Sequence, residues 1–192
     1  LEINYSKQER DIHALLDSYC KSREDNPEGK KSIGTKFING LLKKRLFSSP
    51  AAFASTLEKH VNTVHNGPAT KKSSSMDERI LRKALLKAEE DYAKDEDYEA
   101  AQEEAIEEAS KRSVPFTKDQ TRLISQIRDW AQTAQHQSDA KAEAVCSWIE
   151  DNLKTNNDWN HRRVILFTEY RTTQQWLQKI LVEKGYGGER LA

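Results

Sequence analysis

Apolar residues return at every third or fourth position through most of this chain. At one place, residues 164–167, four large ones stand side by side instead. The stripes are Ile12, Leu15, Leu16 and Tyr19; Phe37, Ile38, Leu41, Leu42 and Leu46; Phe53, Leu57 and Val61; Ile80, Leu81, Ala84, Leu85 and Ala88; Leu123, Ile124, Ile127 and Trp130; and Ala142, Val145, Cys146, Ile149 and Leu153. Each covers one side of a helix and leaves the other to water. Seven glycines and four prolines in 192 residues are too few to interrupt such elements often. The run Arg163-Val164-Ile165-Leu166-Phe167 has no such period and reads as a strand covered on both faces. A helix over 172–184 follows it. The Gly185-Tyr186-Gly187-Gly188 turn then leads to Arg190-Leu191 as the start of a second strand. The expected fold is mainly α: a helical bundle with a small, incomplete α/β part, its first β-α unit, at the C-terminal end.

Local signals fix several boundaries. Ser6 and Glu9 form a capping box, in which hydroxyl and carboxylate satisfy orphan amides. Ser49 caps a helix whose first position is Pro50, where a missing N–H costs nothing. Ser138 is expected to cap the helix after it, and Ile3 to Tyr5 alternates like a strand end. The stretches 22–34 and 66–75 read as loop and mobile linker. Residues 76–112 read as one charged helix or a helical hairpin, ended by Ser113-Val114-Pro115. This gives three parts: a helical region over 1–64, a flexible linker with an acidic helical insertion over 65–116, and helices leading into the α/β part over 117–192.

The two cysteines, Cys20 and Cys146, make no CxxC pair, so structural zinc and a disulfide framework are not expected. No apolar stretch approaches the roughly 20 residues of a membrane span, and no secretory core follows a basic start. A cytoplasmic protein with no membrane partner is the expectation. The chain starts at Leu1, has Met76 as its one methionine and stops inside an apparent strand, which suggests a piece of a longer protein.

Formal net charge is zero, which excludes a chain that coats polyanions along its whole length. The balance hides two blocks. Residues 30–72 hold nine Lys or Arg and one acid (net +8), whereas 77–112 hold thirteen acids and seven bases (net −6). Lys43, Lys44 and Arg45 can present three cations along a phosphate track. They can equally be solvated cations near a helix C-terminus, where they suit the dipole. The acidic helix can neutralise the basic block within the fold.

Catalytic signals are missing. Gly29-Lys30-Lys31-Ser32 is the nearest approach to a phosphate-cradling loop, but Glu24 stands where the first glycine belongs, Lys31 replaces Ser or Thr, and no strand precedes it. Asp77-Glu78 and Asp95-Glu96-Asp97 lack the buried strand that a magnesium-holding carboxylate needs. His13, His60, His65, His136 and His161 are scattered and read as surface residues without a metal shell. No catalytic, metal or cofactor residue is assigned. The sharpest constellation is the end of the apolar run, Thr168-Glu169-Tyr170-Arg171-Thr172-Thr173. There, hydroxyls and helix-start amides can hold a phosphate oxygen or simply cap the helix.

The stretch from Arg163 to Thr173 resembles the motif that opens the second RecA-like core of superfamily 2 helicases, and Ser138-Asp139-Ala140-Lys141 resembles the segment before it. Leu41-Leu42-Lys43-Lys44-Arg45-Leu46-Phe47-Ser48-Ser49-Pro50 and residues 1–19 resemble bacterial Swi/Snf-like helicases of the HepA-like group, with a layout shared by helicases of DISARM-type phage defence. The acidic stretch 76–112 has no counterpart in the resemblance and looks like an insertion. The resemblance implies a nucleic-acid-dependent ATPase, using ATP and magnesium, in which Thr168, Arg171 and Thr172 face the backbone of nucleic acid, DNA rather than RNA. It also implies a partner in the missing first motor core, and a chain that by itself neither hydrolyses ATP nor unwinds anything. Two other readings compete: a non-enzymatic helical protein-interaction module, and a regulator that binds nucleic acid without ATP. Oligomeric state is left open by the sequence.

Overall fold

A computed structural model describes residues 2–25, 32–67, 75–90, 92, 95–156 and 158–191. Among them are eight α-helices: α1 (Lys7–Glu24), α2 (Ile33–Ser48), α3 (Pro50–Asn66), α4 (Ser75–Ala88), α5 (Asp95–Lys111), α6 (Lys118–Ala134), α7 (Ala140–Leu153) and α8 (Arg171–Glu183). A hairpin of β1 (Lys154–Thr155) and β2 (Asp158–Trp159) lies between α7 and α8, and a 3-10 turn closes the chain at Gly188–Arg190.

The spacing of apolar residues decides which helices share a core. Helices α1 to α6 bury their stripes together, with Leu16, Tyr19, Leu42, Phe53, Leu57, Ile106 and Ile127 at its centre. Burying each large side chain contributes about 1.5–3 kcal/mol. The acidic segment is part of this core. Its two helices, α4 and α5, pack on each other, and α5 also packs on α2 and α3. Their apolar faces (Leu81, Ala84, Leu85, Ala105, Ile106 and Ala109) are buried among the others.

Polar groups inside the bundle are tied off. The Arg23 guanidinium donates to the Val114 carbonyl at 2.9 Å and to Gln120 Oε1 at 3.2 Å, and lies over Phe116 at 5.2 Å. This anchors the break around Pro115 to the end of α1. His60 is 1% exposed; its Nε2 is 2.9 Å from Tyr19 Oη and its Nδ1 is 2.8 Å from Ser110 Oγ. It is therefore a core residue, not the surface histidine expected from its isolation in sequence. Burial, with the Arg23 charge nearby, lowers its pKa to about 3.

The C-terminal unit has its own smaller core. Cys146, Ile149 and Leu153 of α7 meet Leu181 of α8 and Tyr186. The hairpin pairs Lys154 with Trp159 and Thr155 with Asp158, and its turn puts Asn156 at φ 53, a left-handed conformation that Asn tolerates. Trp159 packs edge-on against Tyr186 at 5.6 Å. Glu9 ties this unit to the bundle. One carboxylate oxygen accepts from Ser6 N at 2.6 Å, completing the expected capping box, and the other accepts from Ala140 N at 2.9 Å, at the start of α7. Burial pushes the Glu9 pKa up, but the bonds from Ala140 and Ser6 outweigh it and hold the carboxyl below its usual range.

Several expectations are corrected. Residues 3–5 are not a strand. Asp139 rather than Ser138 caps α7, accepting from Ala142 N at 2.8 Å. The Ser49 cap with Pro50 at the helix start is as expected. The charged stretch 76–112 takes the second of its two expected forms, two helices packed on each other. The linker residues 68–74 and the loop residues 26–31 lie outside the described residues. The main correction is at 163–167, which form no strand: the described residues contain no parallel sheet, only the β1–β2 pair. A strand needs a neighbour for its amides and carbonyls. The expected neighbour at Arg190-Leu191 goes instead into and just past the 3-10 turn.

Candidate nucleic-acid interface

The basic helix α2 divides its cations by position. Arg45 lies four residues after Leu41 and three after Leu42, on the apolar stripe, and is 5% exposed. Its guanidinium lies 3.6 Å from the centre of the Tyr170 ring and donates to Gln102 Oε1 at 3.1 Å. Burial lowers its pKa, against nearby phenols and carboxylates that raise it. Lys43 is on the flank, paired with Asp17 of α1 at 2.6 Å; that bond raises the lysine pKa, and the lysine in turn lowers that of the aspartate. Lys44 is exposed and makes no ion pair among the described residues. Lys36 shares its face two turns earlier, with exposed Gly40 between them. The three adjacent cations therefore form no single track. The solvent-facing stripe is Lys36, Lys44 and part of Lys43.

Residues 168–173 are held against this helix by the other end of the site. Tyr170 is the N-cap of α8, is buried and supplies no side-chain cap. Thr173 Oγ1 lies 2.7 Å from Ser48 Oγ and 2.9 Å from Ser49 Oγ, at the corner between α2 and α3. Thr168 is exposed, with Oγ1 at 3.4 Å from the Tyr170 carbonyl, and Thr172 is half-exposed. Arg171 donates from its guanidinium to Glu96 Oε1 at 2.8 Å and from its backbone N–H to Glu99 Oε1 at 3.1 Å. Two carboxylates of the acidic helix α5 thus occupy the place where a phosphate would meet the start of α8. Elsewhere the same helix pairs Glu103 with Lys59 at 3.0 Å and Glu104 with Lys87 at 3.2 Å. Lys30, Lys31, Lys71 and Lys72, the rest of the basic block, lie outside the described residues.

A cavity of about 230 Å³ opens beside this junction, lined by Ser48, Asp139, Lys141, Thr168, Thr173 and Trp176 among others. Lys141 Nζ donates to the Ser48 carbonyl at 2.8 Å and to the Phe47 carbonyl. Burial lowers the Lys141 pKa and raises that of Asp139. Among the described residues no group of three or more His, Cys, Asp or Glu is placed to hold a metal ion. None of them builds a strand, glycine loop and helix that would cradle the phosphates of ATP.

Sequence reasoning missed the Arg45–Tyr170 stack and the carboxylates on Arg171. The first was visible in principle, because an arginine at the spacing of an apolar stripe must be buried or break it. The second joins residues 75 positions apart and left no local signal. No protein-family model, curated protein or solved structure matches the chain. No helix among the described residues is long and apolar enough to cross a membrane.

Proposed function

We propose that this chain is part of a nucleic-acid-dependent ATPase of the helicase or translocase kind, contributing its helical region and the opening β-α unit of a RecA-like second motor lobe, without hydrolytic chemistry of its own. The observation that carries the reading is the junction at Tyr170. The two segments with helicase resemblance, 41–50 and 163–173, are far apart in sequence, yet they meet through Arg45 stacked on Tyr170 and through Thr173 bonded to Ser48 and Ser49. A motor lobe that moves with its helical region needs such a rigid joint. Binding to a duplex then falls to Lys36, Lys43 and Lys44, and to Thr168, Arg171 and Thr172 once the α5 carboxylates are displaced. ATP and magnesium belong to the rest of the motor, with its first core as partner. DNA is the proposed polymer.

The test is a fluorescence anisotropy titration with duplex DNA at two salt concentrations. Changing Lys43 and Lys44 to Ala weakens binding and lowers the salt slope by about 0.9 for each phosphate that is no longer neutralised. Changing Glu96 and Glu99 to Gln strengthens binding by releasing Arg171 from the α5 carboxylates. Unchanged affinity and slope in both variants remove this surface from the nucleic-acid interface and leave the non-enzymatic interaction module as the better reading. An RNA duplex that binds more tightly than DNA reverses the choice of polymer.

A further inference from the structure

Residues 162–168 run without a turn or bend, between bends at 161 and 169. Exposure alternates along the apolar part: Val164 36%, Ile165 75%, Leu166 39%, Phe167 91%. A period of two is the mark of an extended chain with one face toward the body and one toward solvent. Its main chain over 163–167 makes no hydrogen bond among the described residues. This is a run of unpaired main chain with exposed apolar side chains, the kind of surface on which a strand can form by pairing.

What it pairs with follows from its end charges. In an antiparallel pair, residues directly opposite lie on the same face of the sheet. For two identical strands related by a twofold axis, the pairing must therefore be centred on a residue, which faces its own mate. Centring on Ile165 sets Arg163 against Phe167, and centring on Phe167 sets Ile165 against Glu169; both place a charge against an apolar side chain. Centring on Leu166 sets Ile165 against Phe167, Val164 against Thr168 and Arg163 against Glu169. The more exposed face then reads Arg163, Ile165, Phe167, Glu169 in one copy and the reverse in the other, so apolar meets apolar and opposite charges meet at both ends. Glu169 stands at the bend that ends the free segment, just before the buried Tyr170, and its charge also bears on Tyr98, Tyr170 and Arg45.

We propose that residues 163–169 are a self-pairing strand, through which two copies of this chain join antiparallel about Leu166 with Arg163 of each opposite Glu169 of the other. The pairing takes one hydrogen-bonding edge of the strand and does not rest on the nucleic-acid reading. Seven paired residues fall well short of the roughly 1,200 Å² that stable interfaces bury. The association is therefore weak, with monomers in dilute solution and dimers toward millimolar concentration.

Disulfide trapping in the full chain tests it. The native Cys20 and Cys146 are buried, free thiols and do not compete. Under mild oxidation near millimolar concentration, Leu166→Cys dimerises at least about tenfold faster than the exposed control Gln178→Cys, because it faces its own mate. Ile165→Cys alone and Phe167→Cys alone crosslink no faster than the control, while their mixture crosslinks at the higher rate. On the Leu166→Cys background, Arg163→Glu and Glu169→Arg each slow the reaction, and mixing the two restores it. Self-pairing is overturned if Leu166→Cys behaves like the control, which means that no second copy covers the strand. It is overturned equally if Ile165→Cys crosslinks with itself as fast as Leu166→Cys, which means an unspecific apolar patch.

Discussion

The bundle of α1 to α6 and the unit of α7, hairpin and α8 differ in how they bury apolar residues, although each leaves some exposed, such as Phe47 and Leu86 in the bundle. In the bundle, even the acidic helices contribute stripes to one continuous core. In the C-terminal unit, two small clusters are buried while residues 165 and 167 stand in solvent. Helices complete their own backbone hydrogen bonds, so a helical bundle needs only complementary stripes. A strand has no such self-sufficiency: its polar groups are satisfied by a neighbour or by water. The difference lies in what each element requires from elsewhere more than in hydrophobicity.

That contrast can be broken or sharpened by experiment. The largest effect belongs to the bundle centre. Leu42→Ala costs about 3 kcal/mol in denaturant unfolding, from reduced burial plus the cavity left behind, and a loss under about 1 kcal/mol means the bundle core is loosely packed. Acidification comes next. His60 is held at about 3 in the folded chain, below its usual 6.5, so the unfolded chain takes up the proton first. Stability is then full above about pH 6.5 and falls toward pH 3 by up to about 1.4 kcal/mol per pH unit. Between pH 6.5 and 4.5 this slope is separate from that of Glu9 and Glu108, whose lowered carboxyl pKa values act only below their usual range. Burial also lowers the His13 pKa, which adds a slope of the same sign, so in equilibrium unfolding across that window His60→Gln reduces the slope and leaves the part that His13 contributes. An undiminished slope means that His60 is not its source.

A smaller effect is expected at the joint between the two regions. Arg45→Lys loses the flat stack on Tyr170 and the bond to Gln102, at a cost of about 2 kcal/mol. Thermal unfolding followed at Trp176 should show the C-terminal unit loosening before the bundle. If the two still melt together, Arg45 is not what couples them. The smallest effect is at the free strand. Ile165→Thr with Phe167→Ser changes the stability of dilute protein by less than about 0.5 kcal/mol, since neither side chain is buried. A larger loss in dilute protein means the run is packed in solution.

How much of this was legible follows the same division. Helix limits came from spacing and from caps such as Ser6 with Glu9 and Ser49 with Pro50, all interactions within a few residues. The core membership of α4 and α5 was half-visible: Ile80 to Ala88 gives a clear stripe, but the second half of the stretch offers only the thin one of Tyr98, Ala101, Ala105 and Ile106. Small side chains there let helices approach closely, which a count of large apolar residues overlooks. The run at 163–167 was read from composition, which reports a preference for extended backbone and says nothing about whether a neighbour arrives. At the candidate site, exposure of Lys44 and burial of Arg45 differ by a 100° rotation about one helix. Periodicity contains that information, though a count of adjacent cations conceals it.

Glu9 carries a last consequence. One carboxylate serves the starts of two helices, closing α1 with one oxygen and holding with the other the first amide of α7, 131 residues further on. It works as a latch whose two keepers are on different bodies. Glu9→Gln, which retains the shape but offers only one accepting oxygen, would have to release one of them. Amide exchange at Ser6 and Ala140 would reveal which end lets go first, and so whether the C-terminal unit swings free of the bundle or the bundle frays at its own beginning.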